Sequence, residues 1–203
     1  MQTGAIVLCG GRSSRMGRDK ATLPFGPEVM LQRVVRLLNE VVPAGHIVIV
    51  AAVEQVLPEL PAGVTIARDS RPQRGPLEGL AAGLQALPTG IEAVYATSCD
   101  VPLMVPAFVA RMFAELGDCD IAVPRDAEHH HPLAAVYRTS VLSRVERLLE
   151  GDRLRPRFLF DEARTREVPV DELRDVDPEL RTLMNLNTPE DYRAALAAAG
   201  FAD

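Results

Sequence analysis

A chain of 203 residues that is 47% hydrophobic can bury a substantial core without splitting, so residues 1–203 are read as one domain. A net charge of −6 excludes a protein built for broad contact with nucleic acid or an anionic membrane, because neither surface attracts an acidic partner. No apolar run approaches a membrane span and no charged, apolar leader precedes the first strand; Cys9, Cys99 and Cys119 are odd in number and form no C-x-x-C pair. These features predict reduced, buried thiols, no zinc site and a cytoplasmic location.

The first predicted element is a strand over Ala5 to Cys9, a short apolar run rich in β-branched residues. It opens into a loop whose Gly10, Gly11 and Gly17 let the backbone approach a ligand and turn its N–H groups toward an anion. Arg12, Arg15, Arg18 and Lys20 add cations, and together they describe a phosphate-handling site. Neither of the two best-known glycine motifs fits. Lys20 follows Asp19 and precedes Ala21, which excludes the P-loop, and adjacent Gly10 and Gly11 with the next glycine at 17 exclude G-x-G-x-x-G.

A helix is predicted over Val29 to Val42, with Leu31, Val34, Val35, Leu38 and Val42 on one side. Strands follow at His46 to Ala52 and Val64 to Ala67, a helix at Leu77 to Leu87, a strand at Ala93 to Cys99 and a helix at Phe108 to Leu116. Further strands at Ile121 to Pro124 and Leu133 to Tyr137 precede helices at Leu142 to Leu149 and Thr188 to Ala199. This alternation predicts a three-layer α/β/α fold with an open, mostly parallel, Rossmann-like sheet. In such folds ligands collect beyond the carboxyl ends of the strands.

The remaining polar motifs fall at those ends. Asp69 leaves the third strand, and Gly75, Pro76 and Gly79 open a helix whose first turn presents free N–H groups; Gly79 and Gly83 allow a flat ligand to lie close. Read structurally, Gly-Pro is an ordinary helix start and Asp69 a turn cap. Asp100 directly follows the fourth strand, where a carboxylate can bind Mg²⁺ held mainly by phosphate oxygens and water. The capping alternative is weakened by Pro102 and the apolar flanks. His129, His130 and His131 are consecutive and cannot all face one ion from a regular element, which argues against a metal cluster. Arg153, Arg155 and Arg157 either meet an anionic ligand or form a solvated face.

The stretch LCGGRSSRMGRDK, from Leu8 to Lys20, resembles the L-A-G-G-x-S-x-R-M-G-x-D-K loop of the molybdenum cofactor guanylyltransferase family. Four later segments resemble the same family in order. They are G-P-L-x-G from Gly75 to Gly79 with Asp69 ahead of it, C-D-x-P-x from Cys99, H-P-L-x-x-x-Y-R from His131 to Arg138, and N-x-N-T-P from Asn185 to Pro189. The resemblance implies a nucleotide-diphospho-sugar-transferase-like fold and transfer of GMP from GTP to molybdopterin, with Mg²⁺ on Asp100. It implies catalytic roles for Arg15, Lys20 and Asp100, and nucleotide contacts from Leu8, Cys9, Gly10, Gly11, Lys20, Asp69, Gly75, Gly79 and Asp100. His131, Asn185 and Asn187 would meet the pterin, and transient partners would be proteins of cofactor synthesis or molybdoenzyme maturation.

Two departures stand out. Cys9 replaces the usual Ala, and Ala51 and Ala52 occupy a region where the family often places Asn, which removes a base or ribose contact. The rival readings are a cytidylyltransferase for the same pterin, another small-molecule phosphate nucleotidyltransferase, and a non-catalytic nucleotide-binding module. Gly11 after Gly10 and Asp19 before Lys20 favour GTP over the first two, and Lys20 with Asp100 argues against the third.

Overall fold

Alternation along the first strand decides the layering. In β1 (Thr3–Leu8), Ile6 and Leu8 face one layer while Ala5 and Val7, continued by Cys9, face the other, and all five are buried. A strand buried on both faces belongs at the centre of a sheet with helices on each side. The computed structural model describes residues 1–9, 19–69, 71 and 74–201.

Beyond β1 the sheet comprises β4 (Ile47–Ala52), β5 (Thr65–Asp69), β6 (Ala93–Ser98), β7 (Ile121–Arg125), β8 (Ala135–Arg138) and β9 (Thr165–Pro169). Their order is β5-β4-β1-β6-β8-β7-β9, and β8 alone runs against the rest. The predicted α/β sheet is therefore present and mostly parallel. Helices α1 (Met30–Leu38) and α3 (Pro106–Glu115) cover the Ala5 and Val7 face; α2 (Pro76–Gln85), α4 (Leu142–Glu150) and α5 (Arg157–Glu162) cover the Ile6 and Leu8 face. The α1 stripe buries Leu31, Val34, Val35 and Leu38 completely, each worth about 1.5–3 kcal/mol of transfer free energy.

From β1 the chain turns to β4 on one side, and from β5 it returns to β6 on the other. Adjacent strands whose onward connections diverge leave a crevice outside their carboxyl ends. Leu8 and Cys9 end β1 at this crevice, and Asp100 stands just past β6.

Four elements were not expected from the sequence. A short hairpin, β2 (Pro24–Phe25) with β3 (Glu28–Val29), precedes α1, and α5 and β9 fill a stretch without clear periodicity. The last helix, α6 (Pro189–Ala198), lies outside both layers. It packs on the hairpin through a separate cluster of Leu23, Phe25, Met30, Leu186 and Ala195, with Tyr192 and Phe201 edge-on to Phe25.

One reading is corrected. Gly79 and Gly83 were expected to admit a flat ligand, but a Cβ on Gly79 would lie 3.0 Å from Leu8 and one on Gly83 2.5 Å from Ile6. Their bare Cα atoms face the sheet, so these glycines let α2 press onto β1.

Candidate active site

Backbone bonds carry the parallel register one step past the strands: the Cys9 N–H donates to Val50 C=O (2.8 Å) and the Cys99 N–H to Leu8 C=O (3.1 Å). Asp100 is thus delivered to the sheet edge by a rigid strand, and the Leu186 N–H donates to its C=O (2.9 Å). The carboxylate is held on several sides. Ser98 Oγ donates to Oδ1, Asn185 Nδ2 approaches the same oxygen at 3.5 Å, and Lys20 Nζ reaches Oδ2 at 2.9 Å.

Lys20 Nζ also donates to Asn187 Oδ1 at 3.0 Å, which joins three distant chain segments at one ammonium. Lys20 is the only lysine in the chain, every other permanent side-chain cation being arginine. An ammonium is a compact point charge that shifts between acceptors, whereas guanidinium is a planar fork, so this placement is chemically distinct. The side chains of Lys20 and Asp100 are 17% and 14% exposed, which leaves the pair at the rim of the crevice with access for a ligand.

Local structure explains each position. Asp19 Oδ1 accepts from the Ala21 N–H (2.9 Å) and caps the single turn Lys20–Thr22. Thr188 caps α6, with Asp191 accepting from the N–H groups of Thr188 (2.8 Å) and Asn187 (3.0 Å). Those donors, the Asn187 N–H first, hold the Asp191 carboxyl below its ordinary range. The capping box therefore fixes the backbone at Asn187 while freeing its side chain for Lys20.

The other predicted residues are spread along the same edge. Asp69 ends the edge strand β5, three strand spacings or about 14 Å across the sheet from β6, and accepts from the Arg71 N–H at 2.9 Å. It lines a cleft of about 260 Å³ together with Arg68, Arg71, Glu78 and Glu146. Gly75 precedes α2 with φ +81°, a conformation that favours glycine. His131 lies on the other side, ahead of β8, with Nε2 2.9 Å from Asp126 Oδ2. The Asp126 carboxyl is pulled down to about 2, first by the Glu128 and His129 N–H groups and then by His131. Among the arginines of 153–157, Arg153 and Arg157 stack on Phe158 at 4.5 and 5.3 Å, and Arg153 pairs with Glu162. Gly10, Gly11, Arg12, Arg15, Gly17 and Arg18 lie outside the described residues.

The crevice thus brings Leu8, Cys9, Lys20, Asp100, Asn185 and Asn187 together; Asp69 lies three strands away on β5, and His131 precedes β8, the strand next to β6. The cysteines that directly follow β1 and β6 are both buried, and the neighbouring Cys99 followed by burial pushes the Cys9 thiol well above its ordinary range. Gln55, which sequence reading passed over, contacts both Cys9 and Asp19. No pattern in the chain marks it, since its partners are 46 and 36 residues away. Among the described residues no group of three or more His, Cys, Asp or Glu is placed to hold a metal by protein ligands alone, and no helix is long and apolar enough to cross a membrane.

Residues 5–167 match the model of the MobA-like NTP transferase domain. A Mycobacterium avium protein named probable molybdenum cofactor guanylyltransferase is 36% identical over 98% of this chain and 97% of its own; a Methanosarcina acetivorans protein of the same name is 35% identical over 96% and 90%. In fold, the chain is similar to molybdopterin-guanine dinucleotide biosynthesis protein A from Archaeoglobus fulgidus (TM-score 0.78, 22% identity, 98% and 99% covered). It is also similar to 2-C-methyl-D-erythritol 4-phosphate cytidylyltransferase from Thermus thermophilus (TM-score 0.72, 14% identity, 98% and 100% covered). With the family model spanning most of its length and full-length relatives above a third identical, the chain belongs to the MobA-like NTP transferase family.

Proposed function

We propose that the protein transfers GMP from GTP to the terminal phosphate of molybdopterin, releasing pyrophosphate. The observation that carries this reading is the Lys20–Asp100 pair with Asn185 and Asn187, set at the crevice where the loop after β1 ends. An oxygen of the acceptor phosphate attacks the α-phosphorus of GTP as the bond to the β-phosphate oxygen breaks. The acceptor is already largely ionised near neutral pH, so the reaction needs no strong general base. Positioning and charge neutralisation do the rest.

In this reading Lys20 leaves Asp100 and Asn187 to meet the triphosphate, joined by Arg15, while Leu8, Cys9, Gly10 and Gly11 line the nucleotide. Asp69, Gly75 and the first turn of α2 border the same side, and His131, Asn185 and Asn187 serve the acceptor. Mg²⁺ fits Asp100 by donor chemistry: one carboxylate oriented by a hydroxyl, with phosphate oxygens and water for the remaining positions. Asp100 would hold the ion, which would supply positive charge against the leaving pyrophosphate. The same reading sets the reaction in the cytoplasm, with transient contacts to proteins of cofactor synthesis or molybdoenzyme maturation.

Thermal unfolding with Mg²⁺ and each of four nucleotides tests the nucleotide. GTP is expected to raise the midpoint more than CTP, ATP or UTP, because ligand binding to the native state stabilises it by mass action. A clear CTP preference overturns the guanylyl assignment, and absence of pyrophosphate release with GTP, molybdopterin and Mg²⁺ overturns the enzyme.

A further inference from the structure

Gln55 lies in the turn that follows β4, three residues past Ala52. Its amide is engaged on every side. Nε2 donates to Cys9 C=O at 3.1 Å and to Asp19 Oδ2 at 2.8 Å, which uses both of its hydrogens. Oε1 accepts from the Ala52 N–H at 3.2 Å, and the Gln55 N–H donates to Ala52 C=O at 3.1 Å. Arg68 on the neighbouring β5 holds the turn from outside, donating to the carbonyls of Ala52 (2.9 Å) and Gln55 (2.8 Å).

We propose that Gln55 is a positioning residue for Lys20, tying the end of β1 to the turn that carries the lysine. Cys9 and Asp19 flank the glycine and arginine signature on either side, and one amide group binds both. Asp19 divides its carboxylate between two tasks: Oδ2 takes Gln55, and Oδ1 caps the Lys20–Thr22 turn through the Ala21 N–H. The backbone beneath Lys20 is thereby referenced to the central sheet, and Lys20 Nζ arrives 2.9 Å from Asp100. Only a side chain with two donors suits this place, because both targets are acceptors. A carboxylate there would lose both bonds and set a second negative charge against Asp19. With both N–H groups spent, Gln55 has no donor left to read a base, so its effect falls on all nucleotides alike.

The importance of this placement for turnover rests on the proposed function; the placement itself is tested without it. Because Lys20 is the only lysine, reductive methylation with formaldehyde and borane followed by peptide mass spectrometry reports a single ε-amine. Gln55→Met keeps the volume and removes the donors, and Gln55→Glu is a second variant should the first fold poorly. Either is expected to speed Lys20 methylation about fivefold, the factor represented by one net hydrogen bond, while the N-terminal amine reacts as before. With GTP and CTP as alternative donors, kcat is expected to fall about tenfold or more with KM less affected, and the GTP to CTP ratio to stay constant. Unchanged methylation in both variants overturns the positioning role. A loss confined to GTP overturns it in favour of base reading. If the natural protein turns over no nucleotide, the proposed function fails while the methylation result still decides the role of Gln55.

Discussion

At the scale of single residues, the site depends on one ammonium and one carboxylate that satisfy each other until a ligand arrives. Lys20 is held by both Asp100 and Asn187, and on the proposed function phosphate oxygens would take the place of these acceptors. Asp100→Asn separates chemistry from stability. The amide retains an oxygen for Ser98 but loses the charge that pairs with Lys20. Pyrophosphate release is expected to fall about 10²-fold or more, comparable to losing one charge-stabilising group. Because the pair sits at the rim, the unfolding cost is expected to be about 1 kcal/mol, or about 2–4 °C in a domain of this size. A large midpoint loss with turnover retained would assign Asp100 to structure instead.

Among the elements, α2 and α6 show how packing and site are joined. Gly83 is in contact with Ile6, itself fully buried in β1, and an added methyl would meet three Ile6 carbons between 2.5 and 3.0 Å. Gly83→Ala gains about 1 kcal/mol of helix propensity but forces a fully packed β-branched side chain to move, an overpacking cost of about 1–3 kcal/mol. The net expectation in denaturant unfolding is destabilisation, whereas Gly45→Ala, where a methyl meets nothing within 4 Å, is its matched control. A stabilised Gly83→Ala would show that α2 has room to lift from the sheet. Helix α6 acts at longer range. Its cap sets Asn187, and its seat on Phe25 places that cap against the turn bearing Lys20.

For the molecule as a whole, one sheet carries both cores, and its tyrosines report on each. Tyr95 lies in the α1 and α3 layer, Tyr137 in the α2 and α4 layer, and both are almost completely buried. Burial, aided at Tyr95 by the charge of Asp177, raises both phenols well above their ordinary value. A group raised on folding contributes stability below its unfolded value and loses it as pH climbs past that value. Alkaline titration followed by tyrosinate absorbance is therefore expected to release Tyr95 and Tyr137 together, in step with loss of circular dichroism. Independent release of either, with the fold intact, would show that the two layers open separately.

The sequence by itself determined the alternating strands and helices and the apolar first strand, because periodicity is a local property of the chain. Lys20, Asp100, Asn185 and Asn187 were legible as separate motifs; that they meet was not, since the Lys20 to Asn187 bond spans 167 positions. Tertiary structure alone reassigned Gly79 and Gly83 from ligand to sheet, because a glycine in a helix reads the same whichever way its missing side chain faces. The β2–β3 hairpin, α5 and β9 were hidden for a related reason. They are short, and their apolar residues are chosen by neighbours far along the chain: Phe25 by α6, Phe160 by the α2 and α4 layer, Val168 by the opposite layer. Gln55 marks the limit most sharply. One amide joins residues 9, 19 and 52 through bonds whose meaning exists only when β1 and β4 lie side by side.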